Sequence, residues 1–477
     1  MFDLIIASGT VVTAEHQFEA DIAITGGRIA ALGQDLGPAR EVLDASGRLV
    51  LPGGVDPHCH IEQLSGMGLM NADTFETATA SAAMGGTTSV ISFAAQKAGE
   101  RLRDTVADYA ARARRGARID HAFHLMITDI DAPNFEDDLT ELVAAGHKSL
   151  KIFTTYNIGL EDKAILHVLR LAKAAGALVC VHAENDALIK ATTARLLEAG
   201  LTRPEHHALS HPRAAEIEAV ERMCHFADYL DQPVMLFHIS TLEAVEVVRN
   251  ARARGVPVWA ETCPHYLMMT AQVLRRDGLE GAKFMCSPPQ REAADQQALW
   301  AGLSGGTLDL ISSDHAPYRF DETGKLSAGP NARFDQIANG LPGLEVRLPL
   351  LFDAVMRRGD LSLQDFVEWT ATGPARLYGL ASKGRIAVGC DADLVLWDSE
   401  RSVTYAANDL HDNVGYNPWE GHSVTGWPET VLLRGKVIVA DGELRAKPGQ
   451  GAWLARELAT LPRGKAAPER AAAQGAI

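Results

Sequence analysis

The chain has no paired cysteines. Its six cysteines lie scattered at positions 59, 180, 224, 263, 286 and 390 of 477 residues, with no Cys-x-x-Cys among them. That spacing excludes a zinc knuckle and a disulfide framework, and it predicts a reducing, cytoplasmic setting. A basic cluster is missing too. Lys and Arg number 45 against 61 Asp and Glu, a formal net charge of -16, so nucleic acid is not an expected partner. No apolar run approaches the length that spans a bilayer, and no membrane association is expected. The start, Met1-Phe2-Asp3-Leu4-Ile5-Ile6, lacks the basic opening of a signal peptide and reads as a strand. Also missing is a Gly-x-Gly-x-x-Gly turn after a strand, which counts against a dinucleotide-binding sheet.

What is present suits a large soluble enzyme. Hydrophobic residues make up 47% and charged residues 22%, enough apolar material for a sizeable core. Residues 1–50 read as short strands around the turns Ser8-Gly9 and Gly26-Gly27. A matching set returns late, at Arg385–Val388, Ala392–Trp397, Val431–Leu433 and Lys436–Val439. Four short strands enclose little core alone. The simplest organisation is one small β-sandwich domain assembled from 1–50 and 385–445, with the rest inserted into it.

The middle, 51–384, alternates apolar strands with helical segments such as Asp104–Arg115, Asp162–Ala174, Ala214–Tyr229 and Thr241–Arg254. Strands are expected to end near His60, Phe93, Ile127, Phe153, His182, His238, Glu261 and Ser313. Eight such units predict an α/β chain with a (β/α)₈ TIM-like barrel. Two doubly wound domains are the alternative, but no linker divides the stretch. Residues 446–477 turn Ala/Gly/Arg/Pro-rich; Trp453-Leu454-Ala455-Arg456 is a candidate docking segment, and the last dozen or so residues read as disordered.

Barrel enzymes carry their chemistry at the C-terminal ends of the strands. In Gly53-Gly54-Val55-Asp56-Pro57-His58-Cys59-His60, the strand period of two points His58 and His60 the same way and Cys59 the other. The glycines with Asp56-Pro57 read as the turn leading into this strand. A His-x-His pair alone is more often structural than ligating. Here, though, Lys151 ends strand four, His182 strand five, His238 strand six and Asp314 strand eight, where a plain core would prefer Val or Leu. Burying any of them costs several kcal/mol unless it is paired or metal-bound.

His-x-His, Lys, His, His and Asp on those strands resemble the ligand set of the amidohydrolase superfamily. Ser149-Leu150-Lys151-Ile152-Phe153 with Tyr156 looks like its dihydropyrimidinase/D-hydantoinase group. So do Cys286-Ser287-Pro288-Pro289, Ser313-Asp314-His315-Ala316-Pro317, Asn339-Gly340-Leu341-Pro342-Gly343-Leu344-Glu345 and Asp412–Gly421. The resemblance implies two divalent ions per chain, with His58, His60, Lys151 and Asp314 on one and Lys151, His182 and His238 on the other. It implies that Lys151 is carboxylated by CO₂ so that its carbamate bridges them. Zinc suits such ligands, and manganese or cobalt also fit.

The reaction it implies is ring opening of 5,6-dihydropyrimidines or 5-substituted hydantoins to N-carbamoyl amino acids, by a hydroxide shared between the ions. Asp314 would be the general base and acid and Tyr156 the oxyanion donor. Tyr156, Ser287 and Asn339 would hold the substrate. A homotetramer is implied by resemblance alone. An allantoinase or other cyclic-imide hydrolase is the runner-up, and a metal-free, non-catalytic dihydropyrimidinase-related protein the reading from another class.

Two positions depart from the pattern. Cys59 stands where hydantoinases commonly have threonine, and Glu62 where they have aspartate. The Gly/Met-rich loop 63–71 is read as an apolar, adaptable cover over the pocket mouth, against the alternative of an ordinary surface loop. His121, His124, His167, His225 and His265 read as structural or surface residues. His206, His207 and His211 read as solvated, and His315 as facing away from the metals.

Overall fold

The structure, a computed structural model, describes residues 1–458, so the expectation of disorder at the extreme C-terminus lies outside the described residues. Two sheets organise the chain. The first has nine strands: Phe2–Val12, Gln17–Thr25, Arg28–Gly33, Ala39–Asp44 and Leu49–Pro52 from one end of the chain, and Leu394–Thr404, Ser423–Leu433, Lys436–Ala440 and Glu443–Leu444 from the other. Leu49–Pro52 joins the two sets, pairing parallel to Phe2–Val12 and antiparallel to Leu394–Thr404. Alternate residues of both sets, among them Ile6, Ile22, Leu394 and Leu432, share one apolar cluster.

Two local expectations fail in this sheet. Ser8-Gly9 is a bulge inside one continuous strand, with Ser8 at φ 61° and the register slipping between Ile6 and Gly9. A Cβ on Gly9 would lie 2.5 Å from Val50, so its absence lets the strand continue past Leu49–Pro52. Arg385–Val388 forms no strand. It lies between Gly384 and Gly389 at φ 67° and 92°; Ile386 packs into the apolar cluster while Val388 is 64% exposed.

The second sheet has eight parallel strands in chain order: Gly54–Cys59, Thr87–Ala95, Asp120–Met126, Ser149–Phe153, Leu178–His182, Val234–Leu236, Val258–Thr262 and Leu310–Ile311. Its two edges meet through a parallel bridge between Cys59 and His315, where the His60 N–H donates to the His315 carbonyl at 2.7 Å. This is the expected TIM-like architecture. The helices anticipated from periodicity run over Leu102–Gly116, Asp162–Ala175, Arg213–Leu230 and Leu242–Ala253. Among the described residues, no helix is long and apolar enough to cross a membrane.

The chain passes between the sheets at Gly53, where a Cβ would lie 2.2 Å from Thr88 Oγ1. Asp56 and Pro57 are not part of that turn, as expected from sequence, but lie inside the first barrel strand. Asp56 is fully buried, lies 3.3 Å from Arg347 Nε, and accepts from the Ser313 and His58 N–H groups at 3.2 Å. It ties the first barrel strand to the last. Arg347→Met leaves this carboxylate buried without its cation and is expected to destabilise the protein by about 3–5 kcal/mol, read as a lower urea midpoint.

Trp453–Arg456 does dock, under the barrel. Leu454 N–H donates to the His121 carbonyl at 2.8 Å, and the buried Arg456 guanidinium donates to Ser149 Oγ at 2.7 Å and to the Phe123 carbonyl at 2.6 Å.

Candidate active site

The first barrel strand delivers two histidines to one side, as its period requires. The rings of His58 and His60 lie 5.6 Å apart, and Asp314 Oδ1 sits 3.1 Å from His58 Nε2 and 3.5 Å from His60 Nε2. His238, two residues past strand six, joins them. One nitrogen of His58, one of His238 and an Asp314 oxygen all lie within 4.8 Å of one another. His182 packs against His238 with ring centroids 4.5 Å apart. On strand four, Leu150 and Ile152 face the surrounding helices while Lys151 turns inward. Its Nζ lies over the rings of Phe237, Phe153 and Phe93, at 4.2, 4.6 and 5.7 Å from their centroids. The structure thus brings all six candidate ligands to the C-terminal mouth of the barrel.

The electrostatics suit cations. Burial pulls His58 and His238 well below the usual imidazole range, with nearby Asp314 only partly opposing. Burial also pulls the Lys151 amine down to about 7. Burial would raise the Asp314 carboxyl, but His58, His60 and His238 outweigh it and hold the group far below the carboxylate range. His58 Nε2 and His238 Nδ1 are buried without a hydrogen-bond partner; even the 3.1 Å approach of Asp314 to His58 lacks bonding geometry. Orphaned buried nitrogens of this kind need an explanation, and metal coordination supplies one.

Supporting oxygens that the sequence reading missed hold the opposite ring nitrogens. Glu261 Oε1 lies 2.5 Å from His58 Nδ1, Gln63 Oε1 lies 2.7 Å from His60 Nδ1, and Glu184 Oε2 lies 2.8 Å from His182 Nε2. Such partners orient a ligating imidazole and choose its free nitrogen. A signal existed for Glu184, because His182-Ala183-Glu184 repeats the two-residue spacing.

The expectation that His207 and His211 are solvated is wrong: they are 2% and 5% exposed. His211 Nδ1 lies 2.9 Å from the other oxygen of Glu184, and His207 Nε2 lies 2.7 Å from the Cys286 carbonyl. Polar neighbours in sequence concealed a packed loop. His315 faces away from the ligand cluster, bonded to Asp73 Oδ2 at 2.9 Å. Cys59 is fully buried on the far face of its strand, and burial raises its thiol. Glu62 also turns away; its Oε1 accepts from the Phe75 N–H at 2.9 Å.

Above the cluster lies a cavity of about 370 Å³, lined by the six candidate ligands together with Tyr156, Ser287 and Asn339. Tyr156 interacts with both Ser287 and Asn339, and burial raises its phenol strongly, so it remains a donor. Asn339 Nδ2 donates to Ser287 Oγ at 3.3 Å, while Asn339 Oδ1 is buried without a partner. Gln63, Ser65, Gly66 and Met67 of the Gly/Met-rich loop line the same cavity, and Met67 and Met70 are each 50% exposed. Tyr156, His238 and Asp314 all adopt left-handed backbone, at φ 69°, 41° and 45°. Each such conformation costs about 1–3 kcal/mol and persists where surrounding structure imposes it, as functional sites often do.

The Amidohydrolase family pattern matches residues 49–438. The chain belongs to the amidohydrolase family. The D-hydantoinase of Ralstonia pickettii is 40% identical over 458 residues, 95% of this chain and 99% of that protein. The D-hydantoinase of Geobacillus stearothermophilus is also 40% identical, over 456 residues covering 95% and 96%. The crystal structure of dihydropyrimidinase from Brevibacillus agri superposes with a TM-score of 0.92 at 39% identity, covering 95% of this chain and 98% of that one. These likenesses put this amidohydrolase in the dihydropyrimidinase/D-hydantoinase branch. The family implies a pair of metal ions, and the orphaned imidazole nitrogens beside an ionised Asp314 fit that requirement.

Proposed function

We propose that this amidohydrolase opens the ring of cyclic amides and imides, 5,6-dihydropyrimidines and 5-substituted hydantoins, to N-carbamoyl amino acids. The observation that carries the reading is the convergence of His58, His60, Lys151, His182, His238 and Asp314 beneath a cavity whose wall is Tyr156, Ser287 and Asn339. His58, His60, Lys151 and Asp314 would hold one ion, and Lys151, His182 and His238 the other, with zinc the favoured metal for this donor set. When bound, such ions supply Lewis acidity for the carbonyl and make water easier to deprotonate. An amine pulled down to about 7 is substantially neutral near neutral pH, the form that reacts with CO₂, which supports a carboxylated Lys151.

The protein's own groups do the rest. Asp314 takes the proton of the attacking water on its carboxylate and passes it to the leaving ring nitrogen as the C–N bond breaks. The Tyr156 hydroxyl donates to the carbonyl oxygen as it becomes an oxyanion. Ser287 and Asn339 hold the ring's amide edge, and Met67 with its loop contacts the ring substituent.

Other parts of the reading have their own supports. For the division into 1–50 with 385–445, 51–384 and 446–477, support comes from the separate nine- and eight-stranded sheets, which bear on the first two units. A homotetramer is inferred from family likeness, and a cytoplasmic setting from six free, buried cysteines.

The test is a substrate panel on the metal-replete protein: dihydrouracil, a series of 5-substituted hydantoins, and allantoin. Ring opening of the first two classes is expected. Opening of allantoin alone would replace the reading with an allantoinase, and inertness towards all three, with no metal bound, would favour the non-catalytic relative.

A further inference from the structure

Lys325 is fully buried, outside the lining of the cavity, and takes no part in the proposed proton transfers. Its Nζ donates to two backbone carbonyls, Ala338 O at 2.8 Å and Met285 O at 3.3 Å. Burial pulls the amine down to about 7, opposed by the Cys286 thiol. Removing an ammonium from water without a carboxylate beside it costs several kcal/mol. The fold nevertheless builds a dedicated turn to put it there. Lys325 N–H donates to Arg319 O at 2.8 Å, and a Cβ on Gly324 would meet that same oxygen at 2.2 Å.

The two carbonyls matter because of their neighbours in the chain. Met285 precedes Ser287 by two residues, and Ala338 immediately precedes Asn339. Gly340 N–H donates to the Met285 carbonyl at 2.8 Å, so the two segments already touch, and Asn339 Nδ2 donates to Ser287 Oγ at 3.3 Å. Two carbonyl oxygens converging on one point repel each other. An amine between them that donates to both turns that repulsion into attraction, most effectively where water is excluded.

The geometry points to Lys325 as a positioning residue that sets the separation of segments 285–287 and 338–340, and so the spacing of the groups gripping the substrate's amide edge. The inference rests on the hydrolase reading, which gives Ser287 and Asn339 that role. Lys325 touches neither the substrate space nor the candidate metal ligands, so its effect belongs in binding and orientation.

Lys325→Met keeps the volume but removes charge and donors, whereas Lys325→Gln keeps donors without the charge. Misplacing a binding group slightly is expected to raise KM for the best ring substrate about tenfold in K325M with kcat within about threefold, and K325Q should recover part of the loss. Metal per chain, measured on the same samples, should match wild type. A purely structural role would lower kcat in proportion to the misfolded fraction and leave KM where it was, which overturns the proposal. If K325M does not accumulate, K325Q decides: a raised KM supports the proposal and a wild-type KM overturns it. A wild-type enzyme inert to every cyclic amide would sink the hydrolase reading and this inference with it, an outcome distinct from an active wild type whose KM ignores residue 325.

Discussion

Lys151→Ala is expected to leave the protein folded, without tightly bound metal, and slower by roughly 10⁴-fold or more, the scale seen when a unit of catalytic groups loses its central member. Lys151 is the one candidate ligand common to both proposed ions, so its loss dismantles the pair rather than one half of it. The substitution also removes a buried amine lying 4.2 Å from the Phe237 ring centroid, an apolar surrounding in which an ammonium is unfavourable. The cavity left behind and the lost ions should lower the thermal midpoint, while the variant stays folded at assay temperature and function disappears. Metal content by elemental analysis and the thermal midpoint on one sample would check it. Wild-type protein exchanged with ¹³C-bicarbonate should show a carbamate carbon signal that the variant lacks. Full metal content and turnover in the variant would end the bridging-carbamate assignment.

Asp314→Asn carries the second large effect. The amide keeps the shape of the carboxylate and one oxygen near His58 and His60, but it cannot accept the water proton. Loss of a general base lowers kcat by about 10²–10⁴-fold with KM little altered. His58, His60 and His238 keep this carboxyl ionised far into the acid range, so in the wild type it remains a base throughout the mildly acidic to neutral region. An acid limb near neutrality would thus report another group. A variant retaining kcat within about threefold at full metal content would remove Asp314 from the proton transfer.

Much of this was legible because the relevant signals are local. His58 and His60 share a face through the period of two, and both lie in the cluster. Lys151, His182, His238 and Asp314 stand out because each interrupts or closes an apolar run. The same locality misled elsewhere. His207 and His211 have polar neighbours and read as solvated, yet the loop carrying them is packed against Cys286 and Glu184. Ser8-Gly9 has the composition of a turn, yet pairing with Gln17–Thr25 continues on both sides of it and makes it a bulge. Asp56-Pro57 likewise reads as a turn, but Arg347 draws the aspartate into the barrel.

The amino-acid sequence alone determined the alternation of strands and helices and the barrel it predicts, and it marked the candidate ligands, because periodicity and run length are properties of neighbours. Tertiary structure decided everything that depends on a distant partner. Glu261 reaches His58 across 203 positions. Lys325 spans 13 positions to Ala338 and 40 to Met285. The left-handed backbone at Tyr156 carries no mark in residue type, whereas His238 and Asp314 are of types that adopt it more readily than most. Hydrogen bonds to remote oxygens and imposed backbone strain arise only when the closed barrel brings those atoms together.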